Sequence, residues 1–402
     1  MSSATAPRTA ASGSAWTVFL VFLRLGLSSF GGPVAHLAYF REEFVTRRRW
    51  LGEHSYADLV ALCQFLPGPA SSQVGMAIGL ARAGHAGALA AWAGFTLPSA
   101  LALILFAVGL TAWGEALPAG LLHGLKLVAL AVVAQAVWGM ARMLCTDAPR
   151  IAIAALSTGL ALLASAAWQQ VGLIAAAAVL GLALLRPTAD SAHEALPIVM
   201  RRGLALAWLA LFFLLLLGLP LLLQFWPAPA LARLDAFYRA GALVFGGGHV
   251  VLPLLQAEVV APGWIGKDLF LAGYGAAQAV PGPLFTFAAF LGAAMDTAPQ
   301  GWVGGLLALL AIFAPSFLLV AGVLPFWEGL RRNRRARAAL AGVNAAVVGL
   351  LLAALLQPVG RGALAGPLDL ALALLALLAL MRWRLPPWLV VFVGGLAGAL
   401  LA

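Results

Sequence analysis

Three cationic side chains, Arg24, Arg239 and Lys126, sit inside long apolar runs of this 402-residue chain rather than between them. A charge at the centre of a bilayer costs from roughly 3 to more than about 10 kcal/mol, so such residues face a cavity or a counter-charge. On one reading Arg24 and Lys126, each near a helix end, snorkel to an interface or hold a carboxylate such as Glu43 or Glu115. On the other, Arg24 and Arg239 converge and offer two bidentate donor sets to one tetrahedral dianion, with Lys126 as an asymmetric third cation.

Breaks in the backbone supply a second set of donors. Phe30-Gly31-Gly32-Pro33 and Phe245-Gly246-Gly247-Gly248 interrupt apolar runs, as do Leu66-Pro67-Gly68-Pro69 and Val280-Pro281-Gly282-Pro283. Proline removes an N–H donor and glycine permits non-helical dihedrals, so a helix should stop at each. A helix restarting after Pro69 exposes free N–H groups and a positive dipole end, with Ser71, Ser72 and Gln73 as further donors; the restart after Pro283 offers Thr286. The plainer alternative is that these residues only kink helices or let them approach closely. Gln64 and Gln278, shortly before the second pair of breaks, bond either a ligand or freed backbone. Glu43 and Glu258 are candidate proton carriers or interfacial salt-bridge partners, and His36 and His249 either couple protons or pack helices.

The scaffold that must position these groups is set by composition. A hydrophobic fraction of 63%, a charged fraction of 9% and a mean hydropathy of +1.00 exclude a soluble fold of this length. Apolar segments of roughly membrane-spanning length fall near 16–40, 56–81, 86–112, 119–143, 150–167 and 170–185, and again near 203–225, 232–258, 268–295, 301–326, 338–357, 366–381 and 386–402. The fold class expected is therefore all-α, a polytopic integral membrane protein of about 13 transmembrane helices. Residues 1–15 are small and polar and do not read as a cleavable signal peptide.

The formal net charge of +10 lies between the apolar segments, where it meets anionic lipid rather than nucleic acid. Its distribution favours a cytoplasmic N-terminus, although Arg47, Arg48 and Arg49 fall on the wrong side. Cys63 and Cys145 show no ligand or disulfide spacing, so no metal is expected.

Sliding the chain over itself by about 215 positions reveals an internal repeat. Arg24 falls on Arg239, Phe30-Gly31-Gly32 on Phe245-Gly246-Gly247, Glu43 on Glu258, Gln64 on Gln278, Pro67-Gly68-Pro69 on Pro281-Gly282-Pro283, and Pro98-Ser99 on Pro315-Ser316. Lys126 falls on Asn344. The division expected is a first repeat over 16–185, a polar linker plus one unpaired helix over 186–230, and a second repeat over 231–402. The odd helix inverts the second copy, which places a binding site near the midplane between the copies.

At these motifs the sequence resembles the chromate ion transporter family in its long two-domain form, over roughly residues 16–400. The resemblance is carried by Phe30-Gly31-Gly32-Pro33 with Ala35-His36, by Gln64-Phe65-Leu66-Pro67-Gly68-Pro69, and by the counterparts Phe245-Gly246-Gly247-Gly248-His249 and Gln278-Ala279-Val280-Pro281-Gly282-Pro283. It implies efflux of chromate across a bacterial plasma membrane, driven by membrane potential or proton exchange, with sulfate as competitor and no cofactor. A homodimer is left open. No Gly-rich phosphate loop accompanies Lys126 or Lys267, and aspartates lie at segment ends, which disfavours an ATPase or an intramembrane enzyme. Oxyanion uptake and an anion channel remain as rivals.

Overall fold

The computed structural model describes residues 13–113, 119–163, 166–186, 201–364 and 366–401. Most of the polar linker, with Asp190, His193 and Glu194, lies outside them, as does Glu115. The described residues form helices and turns without strands: α1 (Ala15–Ser28), α2 (Gly32–Arg41) with a π-helical turn (Glu42–Arg47), α3 (Glu53–Phe65), α4 (Ala70–Trp113), α5 (Ala119–Leu144), α6 (Ala148–Leu163), α7 (Ala167–Leu184) and α8 (Arg202–Phe225). The second half continues with α9 (Pro229–Leu243), a 3-10 turn (Gly248–Val250), α10 (Val251–Leu255) with a π turn (Gln256–Val260), α11 (Lys267–Ala277), a 3-10 turn (Leu284–Thr286) and α12 (Phe287–Ala294). It ends with α13 (Gly301–Val323), α14 (Trp327–Arg332), α15 (Arg334–Ala354) with a π turn (Leu355–Val359), α16 (Gly360–Ala363), α17 (Pro367–Met381) and α18 (Pro387–Leu401).

Among the described residues six helices are long and apolar enough to cross a membrane, those beginning at Ala70, Gly120, Ala167, Arg202, Gly301 and Arg334. Shorter apolar helices of 10–17 residues accompany them. Six of about thirteen apolar segments therefore form single helices of full spanning length, and the breaks explain why several of the others are shorter. Each of the runs 16–40, 56–81, 232–258 and 268–295 contains one, and its two arms fold back on each other.

Contacts at the arm ends establish this folding back. Gly13, just before α1, donates its N–H to Arg82 O at 3.1 Å, and the Arg82 guanidinium lies 4.7 Å over the ring of Trp50, past the π turn that ends α2. Arg41 bonds Glu53 at 2.6 Å, and the Tyr56 hydroxyl donates to Leu37 O at 2.6 Å, so α3 runs antiparallel to α2. Helix α4 bends sharply at Ala83 and Gly84, after which Gly87 packs on Gly79. In the second half Arg233, near the start of α9, donates to the carbonyls of Thr297 and Pro299 beyond α12. Asp296 N–H donates to Trp264 O, drawing the α10–α11 connection to the same end. From there α13 leads to α14, whose Arg331 bonds buried Asp58 of α3 at 3.0 Å.

The longer helices pack through small residues, which lets backbones approach and maximises dispersion where lipid supplies no hydrophobic drive. Helices α7 and α15 meet at Gly181 and Gly342, α1 and α4 at Gly26 and Gly94, and α5 and α18 at Gly124 and Gly398; a Cβ on any of these would collide with backbone.

Candidate functional site

Four helix breaks meet at the centre, and they interlock across the two halves. Gly68, in the Pro67-Gly68-Pro69 apex, donates its N–H to Val244 O at the apex between α9 and α10 at 2.7 Å. Gly282, in the Pro281-Gly282-Pro283 apex, donates to Ser29 O at the apex between α1 and α2 at 2.9 Å. The same glycines are covered by serines from the opposite half: Ser316 of α13 abuts Gly68, and Ser99 of α4 abuts Gly282. Both glycines take φ values, +124° and +104°, that side chains strongly disfavour. Non-helical backbone at this depth finds its partners in the opposite half, which satisfies the groups that a broken helix frees.

The side chains around the crossing are polar and buried, and several reach no partner. Ser29 Oγ, Ser72 Oγ, Gln73 Oε1, Thr96 Oγ1, Gln278 Nε2 and Ser316 Oγ are all enclosed without a hydrogen bond to the described residues. Leaving one such group unpaired costs about 1–3 kcal/mol, so a cluster of them calls for a ligand or ordered water. Gln73 Nε2 holds Pro67 O at 2.6 Å, which fixes the apex. His36 is buried and bridges two apices, with Nε2 3.2 Å from Ser29 O and Nδ1 3.4 Å from Ser71 Oγ. Ala70, Ser71 and Ser72 form the first turn of α4, before the first intrahelical bond from Gln73 N to Pro69 O, so their N–H groups and the helix dipole face the crossing.

Gly31 and Gly32 break the chain before α2, and Gly246 and Gly247 before the 3-10 turn at Gly248. Gly248 lies beside Pro33 and Leu284, so three helix starts gather there. His249 bonds the hydroxyl of buried Tyr274 through Nδ1 at 2.7 Å. Gln278 lies half-buried, while Gln64 is exposed on α3.

The ionisable residues are placed otherwise than a symmetric arginine pair would require. Arg239 is buried, and Glu258 grips it with two bonds of 2.7 Å. Asp235 bonds it as well, and the Trp168 ring lies 4.8 Å from its guanidinium. Each of the three guanidinium nitrogens thus already bonds a carboxylate oxygen, so Arg239 is engaged within the protein rather than offered to an anion. Arg24 is exposed on α1, one turn before the break, with no ion pair to a described residue. Glu43 is held by Arg47 at 2.9 Å and Arg48 at 2.6 Å, and Lys126 pairs at 3.1 Å with Asp268 rather than with Glu43. No three His, Cys, Asp or Glu side chains among the described residues cluster as metal ligands.

Ser29, Thr96, Ser99 and Ser316 join the site from the structure, beside Gln73, which the sequence already offered as a donor. Their signal was partly visible, since Pro98-Ser99 and Pro315-Ser316 align in the two halves and Gln73 follows the Pro67-Gly68-Pro69 break.

Apolar helices that surround interlocked broken helices, with uncharged donors at the crossing, define a multi-pass membrane protein of the transporter class. The family profile described as Chromate transporter matches residues 16–182 and again residues 231–399, and the chain belongs to that family. It is 29% identical over 343 residues to a chromate transport protein of Pseudomonas aeruginosa, covering 83% of this chain and 78% of that one. It is 26% identical over 396 residues to a chromate transport protein of Cupriavidus metallidurans, covering 94% and 92%. A probable chromate transport protein of Synechococcus elongatus is 27% identical over 407 residues, covering 94% and 93%. No solved structure matches the chain.

Proposed function

We propose that this protein is a secondary transporter that exports chromate, with sulfate as a competing substrate, across a bacterial plasma membrane through the crossing of the four broken helices. The observation that carries this reading is the pair of backbone bonds, Gly68 to Val244 and Gly282 to Ser29, encircled by unpartnered buried hydroxyls and carboxamides. A dehydrated oxyanion needs convergent donors, and hydroxyls, an amide N–H2 and helix starts supply them without a fixed counter-ion that would trap it.

The arms of the first-half hairpins open at the end that holds Gly13, Trp50 and Arg82, and those of the second half at the end that holds Arg233 and Pro299. Because α13 starts at the second of these ends and α14 reaches Asp58 of the first-half hairpins, the two pairs open in opposite directions. That supports two inverted repeats with α8 as the inverting helix, a cytoplasmic N-terminus and alternating access about the crossing. Ser72, Ser316, Ser29, Gln278 and the backbone N–H of Ser71 act as the oxyanion donors, whereas Thr286 spends its hydroxyl proton on Pro283 O; His36 positions two apices, and Arg24 attracts the anion from the approach. Arg239, Glu258, Glu43 and Lys126 serve as structural ion pairs.

Radiolabelled chromate flux into everted membrane vesicles tests this, because such vesicles accumulate what cells expel. Wild-type vesicles should accumulate chromate when a proton gradient is imposed, and excess sulfate should inhibit it. The Ser72→Ala/Ser316→Ala double variant should lose roughly tenfold or more of that flux through lost hydrogen bonds to a charged ligand. Absent flux, or flux unchanged in the double variant at equal membrane content, refutes the reading.

A further inference from the structure

A cavity of about 370 Å³ lies apart from the crossing, between α6, α7, the α10 segment and α15. Its lining is polar in a specific way: three carboxamides, Gln170, Gln256 and Gln357, and one ammonium, Lys267. Among the described residues no carboxylate lines it. Gln170 is buried, with 7% of its surface exposed, and donates Nε2 to Pro253 O at 3.4 Å, which commits its Oε1 to the role of acceptor. That oxygen and Gln256 Oε1 are both enclosed and meet no donor among the described residues. Two π-helical turns, Gln256–Val260 and Leu355–Val359, form part of the wall and carry Gln256 and Gln357. Such turns are rare and concentrate at functional sites, because the wider turn re-aims side chains.

We propose that this cavity is a second oxyanion site, selective for the singly protonated monoanion. The proposal rests on the oxyanion reading given above. One ammonium without a carboxylate balances one negative charge, not two. Unpartnered acceptor oxygens demand a donor from the ligand, and a protonated oxyanion carries an O–H where a bare dianion carries none. Lys267 takes the bare oxygens, and Gln256 and Gln170 accept from the O–H or from a water bound to it. Chromate takes up a proton near neutral pH whereas sulfate remains a dianion, so the cavity reads a difference that size and shape do not offer. The other ionisable groups nearby are engaged elsewhere: Asp268 pairs with Lys126, and Glu258 pairs with Arg239. Helices α6, α7 and α15 place no titratable side chain in the lining.

Calorimetric titration of the purified full-length protein with chromate, and separately with sulfate, tests this at several pH values above the protonation of chromate. Two chromate sites are expected. One of them should tighten about tenfold for each pH unit lowered, as the competent fraction of ligand rises, and it should be absent in sulfate titrations. Lys267→Gln and Gln256→Leu should each abolish that site and leave the other, whose survival reports that the variant is folded. The Ser72→Ala/Ser316→Ala variant should do the converse. A single chromate site, a second site insensitive to pH or equally open to sulfate, or a second site that survives both substitutions overturns the proposal. Loss of the Lys267-dependent site alone leaves the crossing intact, and an unchanged pH-independent site in the serine variant indicts the crossing instead.

Discussion

Replacing Gly68 or Gly282 with alanine is expected to abolish chromate transport while the protein still inserts. A Cβ on Gly68 would lie 2.4 Å from Ser316 Oγ and 2.6 Å from Gln73 Nε2, and one on Gly282 would lie 2.8 Å from Ser99 Oγ and 3.1 Å from Phe95 O. Neither position offers a cheap escape, since both φ values are positive and the N–H of the same residue makes the bond between the halves. Relief requires the apex to withdraw by about an ångström, and misplacement on that scale costs on the order of a hundredfold in rate at a geometrically demanding site. Gly109→Ala is the matched control, because its Cβ would meet nothing within 4 Å. Flux per inserted molecule in everted vesicles should fall about a hundredfold in both apex variants and stay unchanged in the control. Near-normal flux in Gly68→Ala and Gly282→Ala would mean that the crossing is not on the transport path.

Arg239→Gln is expected to be as damaging by a different route. It would strand Asp235 and Glu258, both buried, without their counter-charge, and breaking a buried pair from one side costs about 3–5 kcal/mol. The stacking of the guanidinium on Trp168 is lost as well. The aligned substitution Arg24→Gln should change stability by no more than about 0.5 kcal/mol, since Arg24 is exposed and unpaired among the described residues. Thermal unfolding of the two detergent-solubilised variants, with recovery of folded protein, distinguishes them. Equal destabilisation in both would contradict the different environments described for the two arginines.

That contrast shows where sequence alone runs out. The alignment of Arg24 with Arg239 hides their neighbours. Four residues before Arg239 stands Asp235, whereas four before Arg24 stands Leu20; Glu43 is followed by Arg47 and Arg48, whereas Glu258 is followed at the same spacing by Pro262 and Gly263. Charge pairing at helical spacing therefore differs between the copies, and it decides which arginine is buried and neutralised. The breaks themselves were legible, because Pro and Gly act locally through lost donors and permitted dihedrals.

What local chemistry does not disclose is that a break can end a span or turn it back. The tie from Trp50 to Arg82 and the antiparallel course of α2 and α3 arise from contacts made only once the arms are folded. The cross-bonds from Gly68 to Val244 and from Gly282 to Ser29 are longer-range still, joining residues from different halves of the chain. Ser316 and Ser99 gain their importance only from those contacts, which is why residue type and spacing did not single them out as donors.

Anomalous diffraction at the chromium edge, from crystals of the protein grown with chromate, tests the central claim most directly. A chromium peak within about 4 Å of the Ser72 and Ser316 hydroxyls, between the Gly68 and Gly282 apices, is the predicted result, since an oxyanion there places its oxygens at hydrogen-bond distance. A chromium peak only at Arg24, or beside Arg239 and Glu258, with none at the crossing, would contradict it.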